Sequence, residues 1–390
     1  MAYRSTIGSD PINFVAYFPI SYASSPLGIL PYLILVDKVT QNICISIRGT
    51  VGFSDLVTDL LSSPKNFNRQ VSPWSLDQIR TLTGRDSEEM YAHEGIVSSA
   101  RALLEDLKKV GIYEAIQHLS GPISADADLL SPESSYNEPQ IKEFDAMEEE
   151  EQMEFSTSRA IALIQHAIHG QQYGLVITGH SLGAAVSSII GAELIEIFPS
   201  LRCLSYNPPG GLVNDTFRAI SESFCTSIVV GQDVISRMSM QTMKRVIDDM
   251  MFALGTCYRP KLSILLDTLV GRYVNASAAP HVFKPFESID PDVREVLQQY
   301  LARAQLHQKD VDTMPMYPPG RIIFLRPYGN LTKNSKDITW DAVWIHAQDL
   351  MDEGILVSKR ALSHHLLGQG MVALEKALES CRQRDGGQRA

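Results

Sequence analysis

The sequence predicts an α/β fold, a mostly parallel central sheet flanked by helices, on three observations. Short apolar, β-rich runs alternate with helical patterns along the chain. The runs near the middle are continuously apolar, as strands buried on both faces would be. The 390 residues are 44% hydrophobic and 20% charged, enough apolar material for a large core and too much for a disordered chain.

In order, Pro31–Val36 and Ile43–Ile47 are strand-like runs too short for helices, and Gly95–Val110 has helical spacing. Ser120–Phe155 breaks the alternation. It contains three prolines and eleven acids against one base, a local charge of −10, and is expected to be a solvated acidic insertion. Arg159–His169 is the next helical pattern, followed by the strand Leu175–Thr178 and the helix Ala184–Phe198. Cys203–Tyr206 and Ser227–Val230 are further apolar strands. Ser239–Met314 is a second insertion, rich in methionine at its start and containing the helical pattern Asp292–Gln305. It reads as a helical cap or regulatory insertion, since methionine surfaces adapt to irregular apolar ligands. Strands Ile322–Leu325 and Ala342–Ile345 and a final helix over Lys359–Leu378 complete the alternation. The expected organisation is one domain over residues 1–390, carrying insertions at 120–155 and 239–314.

Charge and cysteine content narrow the function classes. The net charge is −11, nearly all of it in the acidic segment, so a basic nucleic-acid binder is excluded. Cys44, Cys203, Cys225, Cys257 and Cys381 form no CxxC pair, which points to reduced structural thiols. Residues 11–36 are uncharged but interrupted by four prolines, and no basic-then-apolar leader opens the chain. A cytoplasmic or peripheral membrane protein is expected.

The most informative residues are Gly179-His180-Ser181-Leu182-Gly183, a G-x-S-x-G pattern. They follow an apolar strand and precede a helix, the context in which this motif forms the nucleophile turn of an α/β-hydrolase fold. Ser181 would stand at a helix N-terminus, where free amides and the helix dipole favour a developing oxyanion. His180 is adjacent in sequence and so is poorly placed to be its base. A serine nucleophile needs a base, itself held by an acid, and in this architecture the order is Ser, acid, His. Asp233 fits the acid, at the carboxyl end of the strand leading through Gly231. His346, His364 and His365 follow the later strands; His364 and His365 sit where the base belongs, and spacing alone does not separate them. For the oxyanion hole the two donors are the amide of Leu182 and a loop after an early strand, where Arg48-Gly49-Thr50 offers the Thr50 amide and hydroxyl.

Taken together these segments resemble a known family. Ser46-Ile47-Arg48-Gly49-Thr50, His93-Glu94-Gly95, Gly179-His180-Ser181-Leu182-Gly183, Asn207-Pro208-Pro209-Gly210-Gly211, Gly231-Gln232-Asp233 and Tyr317-Pro318-Pro319-Gly320 resemble class 3 (fungal-type) lipases, and especially sn-1-specific diacylglycerol lipases. The segment Leu362-Ser363-His364-His365-Leu366 resembles the family's catalytic-histidine segment and aligns the base with His365. His364 stands where the family commonly has an acid and Leu367 where it often has proline, so His364 stays a second candidate.

The resemblance implies a serine lipase that hydrolyses the sn-1 acyl ester of diacylglycerol, with Ser181, Asp233 and His365 as the triad and Thr50 and Leu182 as the oxyanion hole. It implies no cofactor and no metal. The expected partners are the acylglycerol itself and a transient membrane or lipid-droplet surface, with no nucleic acid. A triacylglycerol lipase or a phospholipase A1 is the alternative within the same chemistry. A lipase-fold scaffold whose chemistry is incidental is the alternative outside it.

Overall fold

The computed structural model describes residues 14–18, 30–37, 40–49, 64–67, 81, 89–109, 111–117, 173–257, 259, 284–310, 314–328 and 338–387. The acidic segment 120–155, the predicted helix Arg159–His169 and Thr50 lie outside them. The described residues divide into two compact units, Met1–Ser239 with Met316–Ala390, and Met240–Pro315.

The first unit is built on an eight-stranded sheet. Its strands are β1 (Phe14–Phe18), β2 (Tyr32–Asp37), β3 (Asn42–Ile47), β6 (Gly174–His180), β7 (Arg202–Tyr206), β9 (Cys225–Val230), β11 (Arg321–Tyr328) and β12 (Thr339–Ile345), in that order across the sheet. The five central strands β3, β6, β7, β9 and β11 are parallel, while β1, β2 and β12 pair antiparallel at the edges. Every predicted strand is present within a few residues. The remaining strands β4 (Pro64–Asn66), β5 (Tyr91–His93), β8 (Val213–Asn214) and β10 (Met316–Tyr317) form a small antiparallel sheet. Two or three residues leave too little pattern for such strands to be read from sequence.

The helices explain which sheet face is dry. On one face lie α1 (Glu94–Lys109), the short α2 (Ile112–Gln117) after it, and α3 (Leu182–Leu194). Helix α3 is buried over nearly its whole length because it packs on both β6 and β7 and against α1. Ile43, Ile45, Ile47 and Ile177 point into the core. Their neighbours along β3 and β6 are only half-buried, so these central strands are buried in alternation and not on both faces as their apolar runs predicted. Among the five parallel strands described, β9 alone has a continuously buried run, from Ser227 to Val230, where helices cover both sides. On one side Ile228 and Val230 join Trp340 of β12 and Ala373 of α9 (Leu367–Gly387). On the other Val229 and Ile322 pack on Ala347 and Leu350 of α7 (Ala347–Glu353). Helix α4 (Asp215–Ser221) is capped by Asn214, whose side chain accepts from the Phe217 amide at 3.1 Å.

The predicted final helix is two helices. Helix α8 (Ala361–His365) ends at Leu366, whose backbone is extended, and α9 then begins. Cys203 and Cys225 are buried and all five cysteines are free thiols; burial raises the Cys225 thiol to about 11. Among the described residues no helix is long and apolar enough to cross a membrane, and no cluster of metal-ligating side chains occurs.

The second unit, Met240–Pro315, contains α5 (Met240–Thr256) and α6 (Pro291–Asp310). They meet where Leu297 covers Gly255, and the Tyr300 hydroxyl donates to Asp248 at 3.2 Å. Met240, Ile247, Met250 and Leu254 of α5 are exposed.

Candidate active site

Ser181 lies on the sharp turn between β6 and α3, at the carboxyl end of the parallel strands. Its backbone has φ 57° and ψ −122°, a conformation that non-glycine residues adopt at a cost of about 1–3 kcal/mol and that the surroundings must enforce. The Ser181 amide donates to the Tyr206 carbonyl at 3.0 Å, which ties the turn to β7. The two motif glycines are there because backbone comes too close for a side chain. A Cβ on Gly179 would lie 2.3 Å from the Gly183 carbonyl carbon, and one on Gly183 would lie 2.3 Å from the Ile47 carbonyl oxygen. The strand, the turn and the end of β3 thus interlock, and the Ser181 side chain makes no capping bond to its own helix. The first amides of α3, beginning with Leu182, have no partner within the helix.

Asp233 follows β9 and is completely buried. Its Oδ1 accepts the Ile235 amide at 2.9 Å and its Oδ2 accepts the Ser236 hydroxyl at 2.8 Å, so the carboxylate is fixed before any histidine reaches it. Beneath it Arg237, also fully buried, donates to the Asp233 carbonyl at 3.2 Å and to Glu353 at 2.6 Å.

His365 joins the two. Its Nδ1 lies 3.0 and 3.1 Å from the Asp233 carboxylate oxygens and its Nε2 lies 2.9 Å from Ser181 Oγ. A carboxylate only accepts, so Nδ1 carries the proton in the neutral ring and Nε2 is left bare to accept from the serine hydroxyl. The arrangement can do one thing well: hold an imidazole in the tautomer that takes a proton from Ser181.

The adjacent histidine does different work. His364 is buried, and its Nδ1 accepts the Gln232 amide at 2.9 Å while its ring meets Trp340 edge-on at 5.5 Å. Burial, then the charge of Arg360, lowers its pKa to about 4. Its Nδ1 lone pair is engaged away from Ser181, whereas His365 is the ring that meets both Ser181 and Asp233. His346 caps α7, where its amide donates to Asp349 at 3.3 Å, and is not brought to the serine. Arg48 is exposed and makes no ion pair with the described residues; its amide donates to the Pro31 carbonyl.

Two further residues hold the histidine turn: His180, which its place beside the nucleophile marks as a packing or orienting residue, and Asn207, to which the sequence assigns no role. His180 Nε2 lies 2.6 Å from the His365 carbonyl and must donate to it. Burial, followed by the neighbouring His365, depresses the His180 pKa to about 4, so the ring is neutral at physiological pH. Asn207 sits at φ +46° and donates Nδ2 to the carbonyls of His364 at 3.0 Å and His365 at 3.3 Å. Its Oδ1 accepts the Val230 amide at 3.0 Å. These bonds take up the last carbonyls of α8 where the helix ends at Leu366. The Asn207-Pro208-Pro209-Gly210-Gly211 segment flagged the position, though not the role.

Comparison with known proteins places this geometry in context. The family profile described as Lipase (class 3) matches residues 44–243, half of the chain. Diacylglycerol lipase-alpha of Rattus norvegicus is 24% identical over 359 residues, covering 90% of this chain and 27% of that protein. Diacylglycerol lipase-beta of Mus musculus is 24% identical over 366 residues, covering 90% of this chain and 44% of that protein. The chain thus spans less than half the length of these curated relatives. Among solved structures, a mutant form of MDLA from Penicillium cyclopium aligns with 12% identity over 89% of this chain and 76% of the other, TM-score 0.41. The lipase of Rhizopus microsporus var. chinensis aligns with 16% identity over 59% of this chain and 57% of the other, TM-score 0.33.

Proposed function

Because the chain belongs to the class 3 lipase family, we propose that it is a diacylglycerol lipase, cleaving the sn-1 acyl ester through Ser181, His365 and Asp233. The observation that carries the reading is the continuous line from the buried Asp233 carboxylate through His365 to Ser181 Oγ, with both bonds near 3 Å.

In the proposed reaction Ser181 Oγ attacks the ester carbonyl carbon as His365 Nε2 takes its proton. The tetrahedral intermediate places its oxyanion by the Leu182 amide, with Thr50 as the second donor. His365 then returns the proton to the departing glyceride oxygen, leaving an acyl-Ser181. Water, deprotonated by the same nitrogen, releases the fatty acid and restores the serine. Asp233 stays charged and stabilises the imidazolium at each stage. No metal or organic cofactor enters these steps. The substrate chains require apolar surroundings, and the exposed Leu362, Leu366 and Leu367 flanking His365 favour contact with a lipid surface at this face.

The test is fatty-acid release from diacylglycerol, triacylglycerol and phosphatidylcholine in mixed micelles, with Ser181→Ala as the control. Release from diacylglycerol alone, with the label from an sn-1 acyl chain and abolished in the variant, is the expected result. Comparable release from all three substrates would reduce the function to a general lipase or phospholipase A1. No release by folded protein would favour the scaffold reading.

A further inference from the structure

Behind the histidine turn lies a cavity of about 320 Å³ that the reaction above does not use. The sheet forms one side through Ile228 and Val230, and α9 forms the other through Gly370 and Met371. His180 and Asn207 line it where β6 and β7 end. Both polar side chains already spend their donors on the carbonyls of the histidine turn. The polar side-chain atoms that remain are His180 Nδ1, an acceptor once Nε2 donates, and the Tyr206 hydroxyl, against an otherwise apolar lining. A buried water needs two to four polar partners, so this lining suits a hydrocarbon better than water. Its volume is about twice that of an apolar cavity that holds benzene, and it falls at the lower end of small-molecule pockets. The cavity is reachable. Leu367 and Met371 line it and are also 49% and 46% exposed, so it opens between the first turns of α9 beside the exposed Leu366.

We propose that this cavity is a binding site for a single hydrocarbon chain, separate from the acyl site at Ser181. The proposal rests on the lipase reading only for the source of the chain, which is a free fatty acid or a neutral lipid. The structure supplies the rest: a mostly apolar lining, the exposed Leu367 and Met371 among it, and the two residues that hold His365 in the same walls. Gly370 is what keeps the slot open. A Cβ there would only touch Val230 Cγ2, at 3.6 Å, so a larger side chain would project into the space without displacing backbone.

The test measures binding and not turnover, so it stands or falls independently of the lipase reading. Thermal unfolding of the full chain is followed with decan-1-ol and with decanoate below their aggregation concentrations, in a Ser181→Ala background. A saturating chain is expected to raise the midpoint by about 3 °C or more. A shift with the alcohol assigns a neutral lipid, and a shift with decanoate alone assigns the free acid. Gly370→Leu should abolish the shift by filling the slot. Met371→Glu, at a half-exposed position where folding is not at stake, should abolish it by charging the mouth. No shift with either chain, or shifts of equal size in both variants, would overturn the proposal.

Discussion

Ser181 and His365 stand on neighbouring turns, but the two turns are held differently. The serine turn is shaped largely by its own neighbours. Gly179 and Gly183 lie two residues on either side of the serine, and β6 and α3 run directly into it. The histidine turn is shaped by residues 132 to 185 positions away: Gln232 on His364, Asn207 on both carbonyls, and His180 on the carbonyl of His365. A local turn can be encoded by the spacing of small residues in one stretch of sequence. A turn fixed from a distance is encoded only in the folded chain, and it responds to substitutions nowhere near it in sequence.

The strongest way to sharpen this comparison is to break the bond where the turns meet. Ser181→Ala and His365→Ala should each lower kcat by about 10⁴-fold or more, and the double variant should be little worse than either. Ester hydrolysis by the parent and the three variants, at saturating substrate, measures this. Multiplying losses would show that the two residues do not act as one unit.

Next come substitutions that strain one turn and spare the other. In Gly183→Ala the new methyl would press on the Ile47 carbonyl, so β3 or the serine turn must shift. A loss of about 3 kcal/mol in stability is expected, read by urea unfolding, with activity falling alongside. Asn207→Gly keeps a residue tolerant of φ +46° but removes the amide group from two carbonyls and the Val230 amide. It should retain its fold and lose about 10- to 100-fold in kcat with KM little changed, as a positioning residue would. Steady-state kinetics decides this. A change confined to KM would argue that Asn207 acts on substrate binding instead of on the histidine.

The same contrast explains what could be read from the sequence. The serine turn was legible because its glycines, strand and helix are contiguous, and Asp233 was legible because it follows β9 through Gly231. The parallel centre of the sheet was legible for the same local reason, as apolar runs separated by helical patterns. Spacing alone did not separate His364 and His365, and only the family resemblance favoured His365; in the fold they differ by the Gln232 amide that one accepts and the Asp233 carboxylate that the other meets. The apolar runs of β3 and β6 also overstated burial, since a run records hydrophobicity and not how many helices cover the strand. The break at Leu366 was overlooked although Gly368 and Gly370 just after it are poor helix formers, and the distant donors that take the carbonyls of His364 and His365 there are not visible in the local sequence.

The smallest expected effect at neutral pH separates the two histidines once more. His364 has a folded pKa of about 4, below its ordinary value of 6.5, because burial opposes its charge. As pH falls from 6.5 toward 4 the unfolded chain therefore takes up a proton that the folded chain refuses, and stability is lost across that window. Above pH 6.5 neither state is protonated there and the stability is fully present. His364→Gln keeps a side-chain acceptor for the Gln232 amide and removes the titrating ring. At pH 7 its kcat should stay within about threefold of the parent, since the ring touches neither Ser181 nor Asp233. Between pH 7 and pH 5 the parent should lose about 1–2 kcal/mol more than the variant. Urea unfolding at the two pH values reads the difference. His180, whose pKa is also about 4 through burial, remains in both proteins, so some loss should persist in the variant. Equal losses in parent and variant would mean that His364 is not held neutral by the fold, and that its contact with Gln232 is looser than the 2.9 Å bond implies.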